Sequence, residues 1–145
     1  MENFTFYSPT EFIFGKDTEN ECGKYVKKHG GNKVLIHYGS GSAVKSGLLN
    51  RVTASLEAEN IPYVMLGGVK PNPRDTLIYE GIALCRKENV DFILSVGGGS
   101  CIDSAKGIAA GVPYEGDFWD FYEKKAVIQK AVSYTHLTLP TMAVV

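Results

Sequence analysis

No stretch of this sequence is apolar for the roughly 20 residues that a membrane-spanning helix needs, and the polar start Met1-Glu2-Asn3 does not read as a signal peptide. A cytoplasmic protein is expected. Charge of one sign is also missing: 15 Lys and Arg stand against 16 Asp and Glu, scattered along the chain. Without a basic stripe, nucleic acid and anionic membrane surfaces are excluded as partners. Cysteine is scarce. Cys22, Cys85 and Cys101 are odd in number, far apart and lack a C-x-x-C pair, which excludes a disulfide framework and a zinc knuckle and leaves reduced thiols. His29 and His37 have no Cys, Asp or Glu at ligand spacing, so they read as helix-end and strand-end residues rather than metal ligands. Repeats, linkers and low-complexity tracts are absent too, and 145 residues with 44% apolar content make one domain with one core's worth of chain.

What remains is a strand and helix alternation. Asp17 or Thr18 caps a helix with Cys22, Tyr25 and Val26 on one face, ended by Gly30-Gly31. The strand Val34-Leu35-Ile36 follows, then a helix capped by Ser42 on which Val44, Leu48, Val52 and Leu56 recur every four residues. Pro62 to Leu66 is the next strand. Asp75 opens a helix with Leu77, Ile78, Ile82 and Cys85 inward, and the strand Phe92 to Val96 leads to a helix over Ile102 to Ala110. Continuous apolar strands between amphipathic helices predict an α/β fold, doubly wound and Rossmann-like, with a mostly parallel sheet covered on both faces. Ligands of such sheets bind at the carboxyl ends of the strands.

Three loops lie at those ends. Gly97-Gly98-Gly99-Ser100 joins strand to helix; residues without a β-carbon let a ligand approach the backbone, and the helix start offers unpaired N–H groups and a positive dipole end. An anion such as a phosphate belongs there, a small-residue turn being the alternative. Gly39-Ser40-Gly41-Ser42 also precedes a helix and offers N–H groups and two hydroxyls, although Val44 replaces the third glycine of the dinucleotide fingerprint and a turn with a cap would look the same. Residues 37–43 contain no acid to hold a ribose 2′-hydroxyl and repel a 2′-phosphate, so NADP is favoured over NAD. In the third loop, Gly67 to Pro73, Asn72 is held between Pro71 and Pro73 in a stiff segment that either aims its amide or simply turns. Asp103 lies one turn inside the last helix, where the dipole alone would favour it by ~0.3–1 kcal/mol. Cys101 reads as a small buried filler, and Phe118, Trp119, Phe121 and Tyr122 as packing beneath the loops rather than the seal of a cleft.

The segment 97–103, GGGSCID, resembles the phosphate-binding segment of the iron-containing alcohol dehydrogenase family. FTFYSPTEFIFG at 4–15 is similar to that family's opening hairpin, GVKPNP at 68–73 to its second cofactor loop, and GDFWDFY at 116–122 to a segment of its butanol-dehydrogenase-like branch. The motifs run in order from residue 3 to about residue 131. The resemblance implies a dinucleotide-binding domain over residues 1–131 without the family's helical metal-binding domain. It further implies a pyrophosphate on Gly97, Gly98 and Ser100, with Gly99 in the same cradle, Asp103 near the nicotinamide end accepting hydrogen bonds from neutral donors, and Asn72 as a cofactor contact. The implied reaction interconverts primary alcohols and aldehydes with NAD(P), an iron or zinc ion serving as Lewis acid. The family's Asp and His metal ligands lie in the second domain and no residue here matches them. The chain is therefore expected to bind a nicotinamide dinucleotide without turning over an alcohol, and a homodimer is left open. A glycerol or glycerol phosphate dehydrogenase of the same superfamily and a non-catalytic nucleotide-binding module are the alternatives.

Where the family continues with an apolar strand into a T-[LI]-P-x-[AT]-G-[ST]-E loop, residues 132–141 read VSYTHLTLPT, which resembles the translation of a sequencing-library transposon adapter. Residues 132–145 are therefore expected to be foreign to the protein and loosely packed at the sheet edge. Thr138 and Pro140 echo the family's loop, and a genuine loop would make Thr138 a cofactor contact. The missing Gly and Glu speak against it.

Overall fold

Every residue of Phe92–Val96 is buried, as a strand covered on both faces requires. The computed structural model describes residues 3–39, 41–71, 75–138 and 141–144. In chain order it contains β1 (Glu11–Phe14), a 3-10 turn (Thr18–Glu21), α1 (Cys22–Lys28), β2 (Val34–Gly39), α2 (Ser42–Lys45), α3 (Leu48–Ala58) and β3 (Tyr63–Val69). There follow α4 (Asp75–Glu88), β4 (Phe92–Val96), α5 (Gly99–Gly111), a 3-10 turn (Phe118–Phe121), β5 (Ser133–Thr138) and β6 (Thr141–Val144). They build one sheet of order β1-β6-β5-β4-β2-β3. The run β5-β4-β2-β3 is parallel, while β6 lies antiparallel to both β5 and β1.

The period-two alternation of the strands sorts their side chains into two cores. Val34, Ile36, Phe92 and Leu94 pack under α1 and α3 with Val26, Val52 and Leu56. Leu35 and Ile93 face α4 and α5 with Ile78, Ile82, Ala105 and Ile108. Helices on both faces of a mostly parallel sheet are the doubly wound arrangement that the strand and helix alternation predicts. Where α1 crosses α3 the backbones approach so closely that a Cβ on Gly23 would lie 2.2 Å from the Ser55 carbonyl oxygen, and the Gly23 N–H donates to Ser55 Oγ at 2.9 Å. Among the described residues no helix is long and apolar enough to cross a membrane.

Three local expectations need correction. The helix expected to run from Ser42 through Leu56 is two helices, because Gly47 adopts φ 73° and ends the first before the second begins. Val44, on the short first piece, is consequently 52% exposed, and the N-cap is Gly41 rather than Ser42, with no side-chain cap bond among the described residues. The opening hairpin is also absent: residues 3–10 hold no strand, Phe4, Phe6 and Tyr7 are exposed, and the antiparallel partner of β1 is β6. The segment after residue 132 is tied into the sheet by backbone pairing rather than loose at its edge. Its first strand, β5, runs beside β4 in unbroken register from Phe92↔Ser133 to Val96↔Leu137, and Thr135 is buried. Strand pairing draws on backbone N–H and C=O groups that every residue but proline carries, and the open edge of β4 demands a partner.

Candidate functional site

The chain passes from β2 outward to β3 and then returns to lay β4 on the other side of β2. The reversal leaves a crevice outside the carboxyl ends of β2 and β4, the topological switch point where open α/β sheets bind their ligands. Gly39 ends β2 there, and Gly97 follows β4.

Gly97 has φ +149°, and a Cβ on it would lie 2.6 Å from Cys101 Sγ, so both its conformation and its neighbour require glycine. Gly98 and Gly99 differ. Their backbones are exposed at the start of α5, and an added Cβ on either would meet nothing within 4 Å. No side chain caps α5; Gly98 O accepts from Cys101 N at 3.0 Å and from Ile102 N at 3.2 Å, while the N–H groups of Gly99 and Ser100 have no carbonyl one turn earlier to bond. Helix start, bare backbone and open space together form a cradle for an anion. Gly41 precedes α2 with equally open space, and Ser42 is exposed beside it. Thr138 ends β5 one residue beyond Leu137, the partner of Val96, which sets its backbone level with Gly97. Gly39, Gly41, Ser42, Gly97, Gly98, Gly99, Ser100 and Thr138 thus share one end of the sheet, whereas Ser40 and Asn72 lie outside the described residues.

Asp103 is exposed on α5 and lines a groove of about 500 Å³ with Lys106, Gly107, Phe118, Tyr122 and Ile128. Its carboxylate borders a mainly apolar channel beside the cradle. The aromatic cluster divides: Phe118 is buried and meets Tyr79 edge-on at 4.6 Å, while Trp119 and Tyr122 stack on each other at 5.1 Å with 44% and 59% exposure. Packing describes the first, while Tyr122 lines the groove and Trp119 a smaller pocket that shares Asp103 with it. Cys101 is buried against Gly39 and Gly97, and burial pushes its thiol above the ordinary range, which fits a filler.

His37 is the residue that pattern reading placed least well. Expected at a strand end, it is fully buried inside β2, with Nδ1 2.9 Å from the Leu66 carbonyl oxygen and Nε2 2.7 Å from Ser104 Oγ. Burial pushes its pKa below the ordinary value, against the opposing pull of the Leu66 bond. The available signal was a titratable residue in an otherwise apolar run, level with Ser95 on β4. His29 was placed better: it ends α1 and bonds Glu11 at 2.8 Å. Arg86 was not singled out, yet its guanidinium donates to the carbonyls of Gly111, Val112 and Tyr114 at and beyond the end of α5. Among the described residues there is no group of three or more His, Cys, Asp or Glu that could hold a metal ion.

Comparison with known proteins places this geometry. The family model for iron-containing alcohol dehydrogenases matches residues 9–144. The chain is 46% identical over 132 residues to NADH-dependent butanol dehydrogenase A of Clostridium acetobutylicum, covering 91% of the chain and 34% of that protein. It is 36% identical over 114 residues to the NADPH-dependent aldehyde reductase YqhD of Escherichia coli, covering 79% of the chain and 28% of the relative. Among solved structures, NADH-dependent butanol dehydrogenase A of Thermotoga maritima superposes with a TM-score of 0.91 at 44% identity, over 94% of this chain and 34% of that one. The chain spans about a third of the length of the curated relatives it matches.

Proposed function

The chain belongs to the iron-containing alcohol dehydrogenase family, and from that premise we propose that it is the nicotinamide-dinucleotide-binding part of an oxidoreductase acting on primary alcohols and aldehydes. The observation that carries this reading is the glycine cradle at the switch point, where Gly98 and Gly99 present bare backbone and open space at the start of α5. Such a cradle fits a pyrophosphate, since no side chain stands between the anion and the helix start. Gly98, Gly99 and Ser100 hold it through their backbones, and Gly39 to Ser42 border the adenosine ribose. Ser40, Asn72 and Thr138 are carried into the site by the resemblance of their motifs. Asp103 accepts hydrogen bonds from neutral donors at the nicotinamide end and meets the substrate along the aromatic groove. The nicotinamide, when bound, accepts or delivers the hydride.

Among the described residues no group of His, Cys, Asp or Glu fits the family's metal ion, so no step is routed through one. Both NADP and NAD enter the proposal. The absence of a carboxylate over 37–43 supports NADP, and the relatives named for NADH dependence support NAD. We also read residues 132–145 as foreign to the native frame, on the ten-residue match of 132–141.

Calorimetric titration with NADPH and NADH, alongside Gly98→Val, tests the site. A side chain at Gly98 has room in the fold but projects over the helix start, so the variant is expected to keep the parent's melting temperature and lose dinucleotide binding. Equal affinity in parent and variant sinks the assignment.

A further inference from the structure

The geometry points to His37 as a positioning residue, one imidazole that fixes the glycine cradle on α5 and the bulged end of β3 in a single arrangement. The inference rests on the nucleotide-binding reading of that cradle.

The hydrogen bonds leave only one assignment for the neutral ring. The Leu66 carbonyl can only accept, so the proton sits on Nδ1, 2.9 Å away. Nε2 then carries a lone pair, and the Ser104 hydroxyl, at 2.7 Å, donates to it. All three side chains or groups involved lie in the core: His37 and Ser104 are fully buried, and Leu66 nearly so. Burial favours the neutral ring that this pattern needs.

The two partners lie on the elements that border the other two loops, Ser104 on α5 and Leu66 on β3. Ser104 lies on α5 less than two turns beyond Gly99, so a displacement of Ser104 displaces the helix start. Leu66 is the last regular partner of β2 before the register slips, for His37 pairs with Leu66 and Gly39 with Val69. β3 therefore spends an extra residue at Gly67-Gly68, with Gly68 at φ +92°. Bulges re-aim the strand that carries them, and this one directs the chain into Lys70 and Pro71 of the loop that follows β3. The imidazole bonds the carbonyl at the base of that bulge. His37 itself stands two residues before Gly39, so the three loops meet on one ring.

Ser95 supplies an internal control. It pairs with His37 in register on β4, its hydroxyl is equally buried, and among the described residues that hydroxyl has no hydrogen-bond partner. Ser95→Ala and Ser104→Ala each remove one oxygen from the same layer, but only the second cuts a bond of His37.

The test is peptide-resolved hydrogen exchange on the nucleotide-free chain, paired with NADPH and NADH titrations and the ¹⁵N shifts of the His37 ring. Ser104→Ala is expected to speed exchange over residues 97–104 and 66–71 together and to weaken dinucleotide binding about tenfold, a usual size for coupling between sites. Ser95→Ala is expected to leave both segments and the affinity unchanged, and the parent ring to show a protonated Nδ1 with a bare Nε2. An unaltered 66–71 segment in Ser104→Ala, an equal response to Ser95→Ala, or a proton on Nε2 overturns the inference. A parent that binds neither nucleotide defeats the nucleotide reading alone, because exchange and ring shifts still decide on His37.

Discussion

Gly39 shows how much chemistry one missing side chain decides. It closes β2 at the switch point, and a Cβ built on it would sit in ordinary contact, 3.6 Å from both Cys101 Sγ and the Val69 carbonyl oxygen. An aspartate there is accommodated, and its charge would stand where the adenosine ribose is proposed to lie. A carboxylate accepts from a ribose 2′-hydroxyl and repels a 2′-phosphate. Gly39→Asp is therefore expected to shift the NADPH to NADH affinity ratio towards NADH by about tenfold to a hundredfold, a coupling of ~1–3 kcal/mol. Parallel titrations of parent and variant check it, and an unchanged ratio removes Gly39 from the ribose. Gly97 to Ser100 were legible as a cradle because glycine and a following helix declare themselves locally. His37 was not, since its partners lie 29 and 67 residues away along the chain and no local pattern names them.

At the level of elements, strand and helix types were readable from the apolar pattern: β4 as a continuous apolar run covered on both faces, α4 from inward residues that repeat at helical spacing. Boundaries were less so. β2 runs past its last branched apolar residue to Gly39, and β3 runs through Gly67-Gly68 to Val69, because neighbouring strands keep pairing whatever the side chain. The break between α2 and α3 was missed for a related reason: Leu48, Val52 and Leu56 keep one face while Gly47 resets the backbone before them. The end of α5 offers a further prediction. Arg86 reaches from α4 to three carbonyls at and beyond that end, at 2.6 to 3.1 Å, and its planar fork suits several acceptors at once. Arg86→Ala is expected to cost ~1–2 kcal/mol, the partly exposed site keeping the loss below that of a buried charged bond. Arg86→Lys should recover only part of it, as a single ammonium cannot bridge all three oxygens. Denaturant midpoints for the three proteins decide: equal midpoints for parent and Arg86→Ala remove the tie.

For the molecule as a whole, two observations pull residues 132–145 in opposite directions. Their first ten residues resemble a translated adapter, yet β5 fills the place beside β4, and the family match runs to residue 144. Sheet physics reconciles them. Any short stretch rich in β-branched and aromatic residues can satisfy the open backbone edge of β4, and Val132, Tyr134, Thr135 and Thr138 give this stretch that character. A returning β6 then supplies the partner that β1 would otherwise lack. Pairing thus reports the demand of the sheet rather than the origin of the strand. The origin is decided at the gene: amplification of the locus from genomic DNA is expected to read natively to about residue 131 and then into an apolar strand ending in a T-L-P loop with the Gly and Glu absent here. An uninterrupted genomic frame through VSYTHLTLPT refutes the foreign origin, and β5 then stands as a native strand that carries Thr138 to the edge of the cradle.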